Sequence, residues 1–179
     1  MEIKILKTDE QYKYYDEILK MLIDGDDEFV PPLSARTSTT QSNLASGNKS
    51  EDGILNYFEE MKKQRIMIAT ENDTLLAFVS FKENYTNNEI KVVPNIYLST
   101  LIVKSDARGK GLTTKMYSIL FEEYKDVNIF TRTWSTNTAH IKILSKFNFD
   151  TLCTLKNHRG NGIDTVYFVK NGAPRTPFY

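Results

Sequence analysis

Residues 103–113 read VKSDARGKGLT, and they join two segments of different period. Before them, residues 96–103 (IYLSTLIV) form an apolar run with strand character. After them, Leu112, Met116, Ile119, Leu120 and Tyr124 recur at helical spacing. The turn between carries Arg108, Gly109, Lys110 and Gly111. Glycine lets a backbone take conformations other residues avoid and come close to a ligand. The first N–H groups of a helix lack an intrahelical partner, and the helix dipole adds positive potential there. A strand–turn–helix junction of this kind therefore suits a phosphate. Arg108 and Lys110 add formal charge, and a guanidinium can grip phosphate through two parallel hydrogen bonds.

Working outward, residues 2–6 alternate as a short strand, and residues 12–23 have helical spacing with Gly25 as a stop. Residues 31–50 are rich in Pro, Ser, Thr and Asn, and they predict a long polar loop. A loop of this length inside a compact domain is usually functional or disordered. A second helix is expected over 52–63, then a hairpin, 66–70 and 75–81, around Asn72 and Asp73. Strand 97–103, the helix from Leu112 and a strand at 127–132 make a β-α-β unit. A short helix over 137–147 and two strands, 149–155 and 165–169, close the chain. Strands interleaved with helices indicate an α/β domain with a mixed sheet.

The chain has 179 residues, a length suited to one domain over residues 1–179. No apolar run is long enough to span a membrane, and the first ten residues lack the apolar core of a secretory signal. Together with the lone Cys153, expected as a buried structural thiol, this predicts a cytoplasmic protein without disulfides. His140 and His158 stand apart with no cysteine pair nearby, so no metal site is expected. Net charge is zero but unevenly spread: residues 1–60 carry 6 basic against 13 acidic side chains, and the remainder 17 against 10. Without a basic stripe interleaved with aromatics, no nucleic-acid partner is expected.

Three phosphate ligands can be compared by spacing. A nucleotide P-loop, G-x-x-x-x-G-K-[ST], fails because Lys104 stands at its first glycine and Gly111 follows the lysine. A dinucleotide fingerprint starts at Gly109 and Gly111, but Thr114 replaces its last glycine. No acidic residue follows about 20 positions on to hold a ribose. The third is an acyl-CoA loop, and here the chain resembles the GNAT superfamily of N-acetyltransferases. That family's R/Q-x-x-G-x-G/A motif aligns with Arg108, Gly109, Lys110, Gly111, Leu112 and Thr113, with Thr113 in place of the small last residue. Ser105 replaces the usual proline after the strand. Asn137, Lys146 and Phe149 fall at the offsets of the family's N-x-x-A-x-x-L-Y-x-K-x-G-F segment.

The resemblance implies a central, mixed but mostly antiparallel, twisted sheet flanked by helices. It implies acetyl-CoA as co-substrate, without a metal, and direct attack of a primary amine on the thioester. The amine could belong to a small molecule, a peptide or a protein. Backbone groups of Leu101, Ile102 and Val103 would meet the cofactor, with Leu101 at the oxyanion, and Asn137 would reach the pantetheine amides. The family's usual tyrosine acid position is Leu144 here, with Tyr97, Tyr117 and Tyr124 as unranked substitutes. Glu83 and Glu89 are candidate general bases. Asp26, Asp27 and Glu28 could attract a cationic acceptor, and Trp134 could line its cleft. A catalytically weak acyl-CoA-binding regulatory module is the alternative reading. Nothing selects between monomer and homodimer.

Overall fold

The structure is a computed structural model, which describes residues 1–45, 47–50 and 52–173. Its seven strands are β1 (Glu2–Ile5), β2 (Arg65–Glu71), β3 (Thr74–Glu83), β4 (Asn95–Val103), β5 (Asn128–Trp134), β6 (Asp150–Leu155) and β7 (Thr165–Lys170). Four α-helices are described: α1 (Tyr15–Asp24), α2 (Gly53–Lys62), α3 (Leu112–Glu123) and α4 (Thr138–Lys146). The strands form one sheet in the order β1-β2-β3-β4-β5-β7-β6. Every junction is antiparallel except β4–β5, which is parallel because α3 crosses between them. The fold is thus the mixed, mostly antiparallel α/β arrangement expected.

Side-chain alternation sorts the core into two layers. Met67 and Ala69 of β2, Val79 of β3, Leu98 of β4 and Ile129 of β5 pack under α3 and α4. Ile66 and Ile68 of β2, Phe78 of β3 and Ile102 of β4 turn to the other face, under α1 and α2. β2 is therefore apolar on both faces and reads as a nearly continuous hydrophobic run. α3 buries Leu112, Met116, Tyr117, Leu120 and Phe121, each contributing about 1.5–3 kcal/mol of transfer free energy before entropy is set against it. Asn72 and Asp73 both take positive φ, which the two-residue β2–β3 turn requires.

Residues 31–50 differ from the expected polar loop. Leu33, Ser34, Ala35, Arg36, Thr39 and Leu44 are buried, and Leu33–Ala35 forms a 3-10 turn beside α2. The polar composition misleads because the buried polar groups are bonded: Thr39 Oγ1 accepts from Gln64 Nε2 at 2.7 Å, and Arg36 donates to the Pro31 carbonyl at 2.9 Å. The first helical region also begins differently, with a 3-10 segment at Thr8–Tyr14 before α1. β5 runs two residues past its expected end and includes Trp134.

Two irregularities in the sheet make room for a site. Ser80 pairs with Thr100 and Phe81 with Leu98, which leaves Ser99 as an extra residue in β4. β4 and β5 pair only from Asn95↔Asn128 to Leu98↔Thr131. Beyond that point β4 stays with β3 as far as Ala77↔Val103, and β5 stays with β7 as far as Trp134↔Thr165. The parallel pair therefore parts like a V, with the Thr131 hydroxyl bonded to the Leu98 carbonyl at its vertex (3.1 Å).

Candidate active site

The opening of this V is a cleft of about 570 Å³. Its walls come from the ends of β4 and β5, the loop before α3, the starts of α3 and α4, and Gly25, Glu28 and Phe29. Lys104 N–H turns toward β3, where the Leu76 carbonyl accepts it at 2.8 Å. Strand groups alternate sides, so the N–H groups of Val103 and Leu101 turn the other way, into the gap left by β5. An unpaired strand edge of this kind can hydrogen-bond an extended ligand as a further strand would.

That edge runs into the glycine loop. Gly109 (φ 73°) and Gly111 (φ 71°) both sit in the left-handed region, which glycine enters freely and most residues with a Cβ avoid. A Cβ at either would meet nothing within 4 Å, so both glycines are required by backbone conformation and not by crowding. Gly111 caps α3, and its carbonyl accepts the first helical bond from Lys115 N–H at 3.1 Å. The N–H groups of Leu112, Thr113 and Thr114 thus stand free at a twelve-residue helix start and line the cleft.

Arg108 is already engaged. Its Nε donates to the Val103 carbonyl at 2.9 Å, tying loop to strand, and Nη2 pairs with Glu28 at 2.8 Å across the cleft mouth. Lys110 is exposed and does not line the cleft, whereas Lys146 does. Asn137 caps α4 by accepting from His140 N–H at 3.4 Å, and its amide donates to Thr133 Oγ1 of β5 at 2.9 Å. It therefore fixes the helix to the strand at the cleft wall.

Tyr117 and His140 form a pair with no linear signal in the sequence, being 23 residues apart on different helices. The Tyr117 hydroxyl and His140 Nε2 lie 2.8 Å apart, and both residues line the cleft. Burial lowers His140 to about 4 and pushes Tyr117 well above the usual tyrosine range, so both are neutral at pH 7. Leu144, on α4 itself, points wholly into the core.

The expected bases and acceptor residues are placed as follows. Glu83 stands at the opposite end of β3, accepting from Tyr124 Oη at 2.8 Å and paired with Arg65 at 3.2 Å. Glu89 sits in the β3–β4 connection, and neither lines the cleft. Among the described residues, the one carboxylate in the cleft wall is Glu28. Asp26 accepts from Ser34 N–H at 2.7 Å and Ser34 Oγ at 2.8 Å, and Asp27 pairs with Lys49. Trp134 lines the cleft while packing on Phe29, ring centroids 5.9 Å apart.

A family model described as "Acetyltransferase (GNAT) family" matches residues 35–149, well over half of the chain. The chain belongs to the GNAT acetyltransferase family. Solved structures agree on the fold. An N-acetyltransferase from Staphylococcus aureus Mu50 is 21% identical over 95% of this chain and 97% of its own, with a TM-score of 0.62. The aminoglycoside 6'-N-acetyltransferase of Enterococcus faecium is 15% identical over 98% and 99%, with a TM-score of 0.67. The Salmonella typhimurium protein yncA, solved with its cofactor acetyl-CoA, is 13% identical over 100% and 98%, with a TM-score of 0.62. No curated protein sequence is significantly similar to this chain. In this GNAT chain no helix among the described residues is long and apolar enough to cross a membrane.

Proposed function

We propose that this chain transfers the acetyl group of acetyl-CoA to a primary amine by direct attack, within the cleft between β4 and β5. The observation that carries the reading is the continuity of a free strand edge, a glycine loop and an open helix start along one wall. That wall offers donors in the order an acyl-CoA needs them. Leu101 and Val103 suit the pantetheine amides and the thioester oxygen, while Gly109, Gly111, Leu112, Thr113 and Thr114 suit the pyrophosphate. Asn137 and Lys146 stand on the opposite wall, where they can meet the pantetheine and the charged end.

In the reaction the amine nitrogen attacks the thioester carbon, the C–N bond forms, the C–S bond breaks, and the thiolate leaves with the bonding pair. Backbone donors aimed at the developing oxyanion contribute roughly 3–4 kcal/mol in such sites. A thiolate with a reference pKa near 8.5 leaves without obligatory protonation. Tyr117, protonated at neutral pH, is suited to donate a hydrogen bond to the departing sulfur rather than a proton. The amine must arrive neutral or lose its proton to solvent, since the cleft carboxylate, Glu28, is already held by Arg108. Once the C–N bond has formed, the cationic nitrogen gives up a further proton to solvent, and the departed thiolate takes one up there.

The test is thiol release from acetyl-CoA with a panel of amines, followed by the mass of the product. Amine-dependent release, with a product one acetyl group heavier, is expected. CoA binding with no amine accepting acetyl would contradict transfer and favour a regulatory acyl-CoA-binding module.

A further inference from the structure

Beside the cleft, three arginines converge without an anionic partner. Arg36 and Arg159 are 7% and 6% exposed, and Arg132 reaches the cleft wall itself. Arg36 Nη2 and Arg159 Nη1 share one oxygen, the Val30 carbonyl, at 3.4 and 2.6 Å. Arg132 donates to Tyr167 Oη at 3.1 Å and to the Gln41 carbonyl at 2.7 Å. The group lies directly behind the Phe29–Trp134 pair that lines the cleft: Arg36 stands 5.5 Å from the Phe29 ring centre, and Arg159 5.7 Å from that of Trp134.

Every partner these guanidiniums have among the described residues is a carbonyl, a hydroxyl or a ring; none forms an ion pair. Asp26, whose charge reaches Arg36 weakly, is held by Ser34 and Lys49. Burial and the two neighbouring guanidiniums push Arg159 down to about 9, so it remains cationic at neutral pH while repelled by both. Arg36 Nη1, Arg159 Nη2 and Arg132 Nε donate to no described residue. Among the described residues, the enclosed side-chain polar atoms without a partner are Gln11 Oε1 and Arg65 Nε, so these three nitrogens are not sealed off.

Neutral donors such as glutamine could hold the Val30, Pro31 and Gln41 carbonyls equally well. Two buried guanidiniums crowded against a third, half-buried one are instead unfavourable unless an anion joins them. The geometry points to an anion-binding acceptor pocket: the arginine group bordered by Phe29 and Trp134 receives a carboxylate or phosphate carried by the amine that is acetylated. The acceptor is then an amino acid or an aminoalkyl phosphate, its anion toward Arg132 and its nitrogen toward the thioester. This rests on reading the cleft as an acetyltransferase site.

The test is calorimetric titration of the CoA-saturated protein with amino acids, with their carboxamides, and with aminoalkyl phosphates beside the corresponding amino alcohols. At least one anionic probe should bind about 10- to 100-fold more tightly than its neutral counterpart, the range for a hydrogen bond to a charged group. A carboxylate or phosphate preference names the anion. In Arg132→Gln, and in Arg132→Met should the first fold poorly, that ratio should shrink toward one while CoA affinity holds. A purely structural role for Arg132 would lower the melting temperature and leave the ratio unchanged, which would overturn the inference. So would neutral probes binding as well as anionic ones, or no anionic probe binding at all. Failure of CoA itself to bind would instead overturn the underlying acetyltransferase reading.

Discussion

Replacing Gly111 with alanine isolates what the glycine loop contributes. The added Cβ would meet no atom within 4 Å, so no clash complicates the result, and only the φ of 71° is at issue. An L-residue with a Cβ in the left-handed region costs roughly 1–2 kcal/mol. Alanine also restricts the unfolded chain, which returns about 0.4–1 kcal/mol, so the net loss should be about 1 kcal/mol. For a chain of this size that corresponds to a fall of about 2–4 °C in melting temperature. If the loop relaxes to escape the strain, the free N–H groups of Leu112, Thr113 and Thr114 turn away, and CoA affinity falls too. Asparagine tolerates the left-handed region, so Gly111→Asn should recover much of both losses. Urea unfolding with and without CoA, beside calorimetric CoA affinities, reads each effect. Full stability and full affinity in Gly111→Ala, or equal damage from asparagine, would refute the conformational explanation.

Arg108→Ala should weaken CoA binding about tenfold at low salt and less at high salt, because both partners at the cleft mouth are exposed to screening. Glu28→Gln should leave CoA affinity unchanged or improve it, by releasing that guanidinium; a marked fall would contradict this. Asp26→Asn should lower stability by about 1–2 kcal/mol, since its carboxylate holds Ser34 through two bonds, and leave acceptor binding nearly untouched in kinetic assays. His140, lowered to about 4 by burial, stays neutral in the folded protein while the unfolded chain takes up a proton near pH 6.5. Stability should therefore be full above pH 6.5 and fall by about 1–3 kcal/mol as pH drops toward 4. His140→Gln should flatten that slope in denaturant titrations, and an unchanged slope would refute the assignment.

The strand–turn–helix at 96–124 is legible in the sequence because local signals agree: an apolar run, paired glycines and a helical period. The hairpin at Asn72–Asp73 and the stop at Gly25 are legible for the same reason, being set by residues next to one another. The bulge at Ser99 and the parting of β4 from β5 are not, since register depends on partners 17 or more positions away. The Tyr117–His140 pair and the three arginines are brought together by packing between distant segments, and nothing in their spacing announces it. Residues 31–50 look like solvated loop by composition, yet Ser34, Arg36 and Thr39 are buried there with their side chains hydrogen-bonded. Glu83 and Glu89 stand out along the chain as carboxylates near the central strand, but only the topology shows that they do not line the cleft.

The most direct test is a crystal structure of this chain with CoA bound. The pyrophosphate should lie on the N–H groups of residues 109–114, with the pantetheine along β4 at Leu101 and Val103 and the sulfur in the V near Tyr117. CoA bound elsewhere on the surface, or a cleft left empty at saturating CoA, would contradict the proposed site.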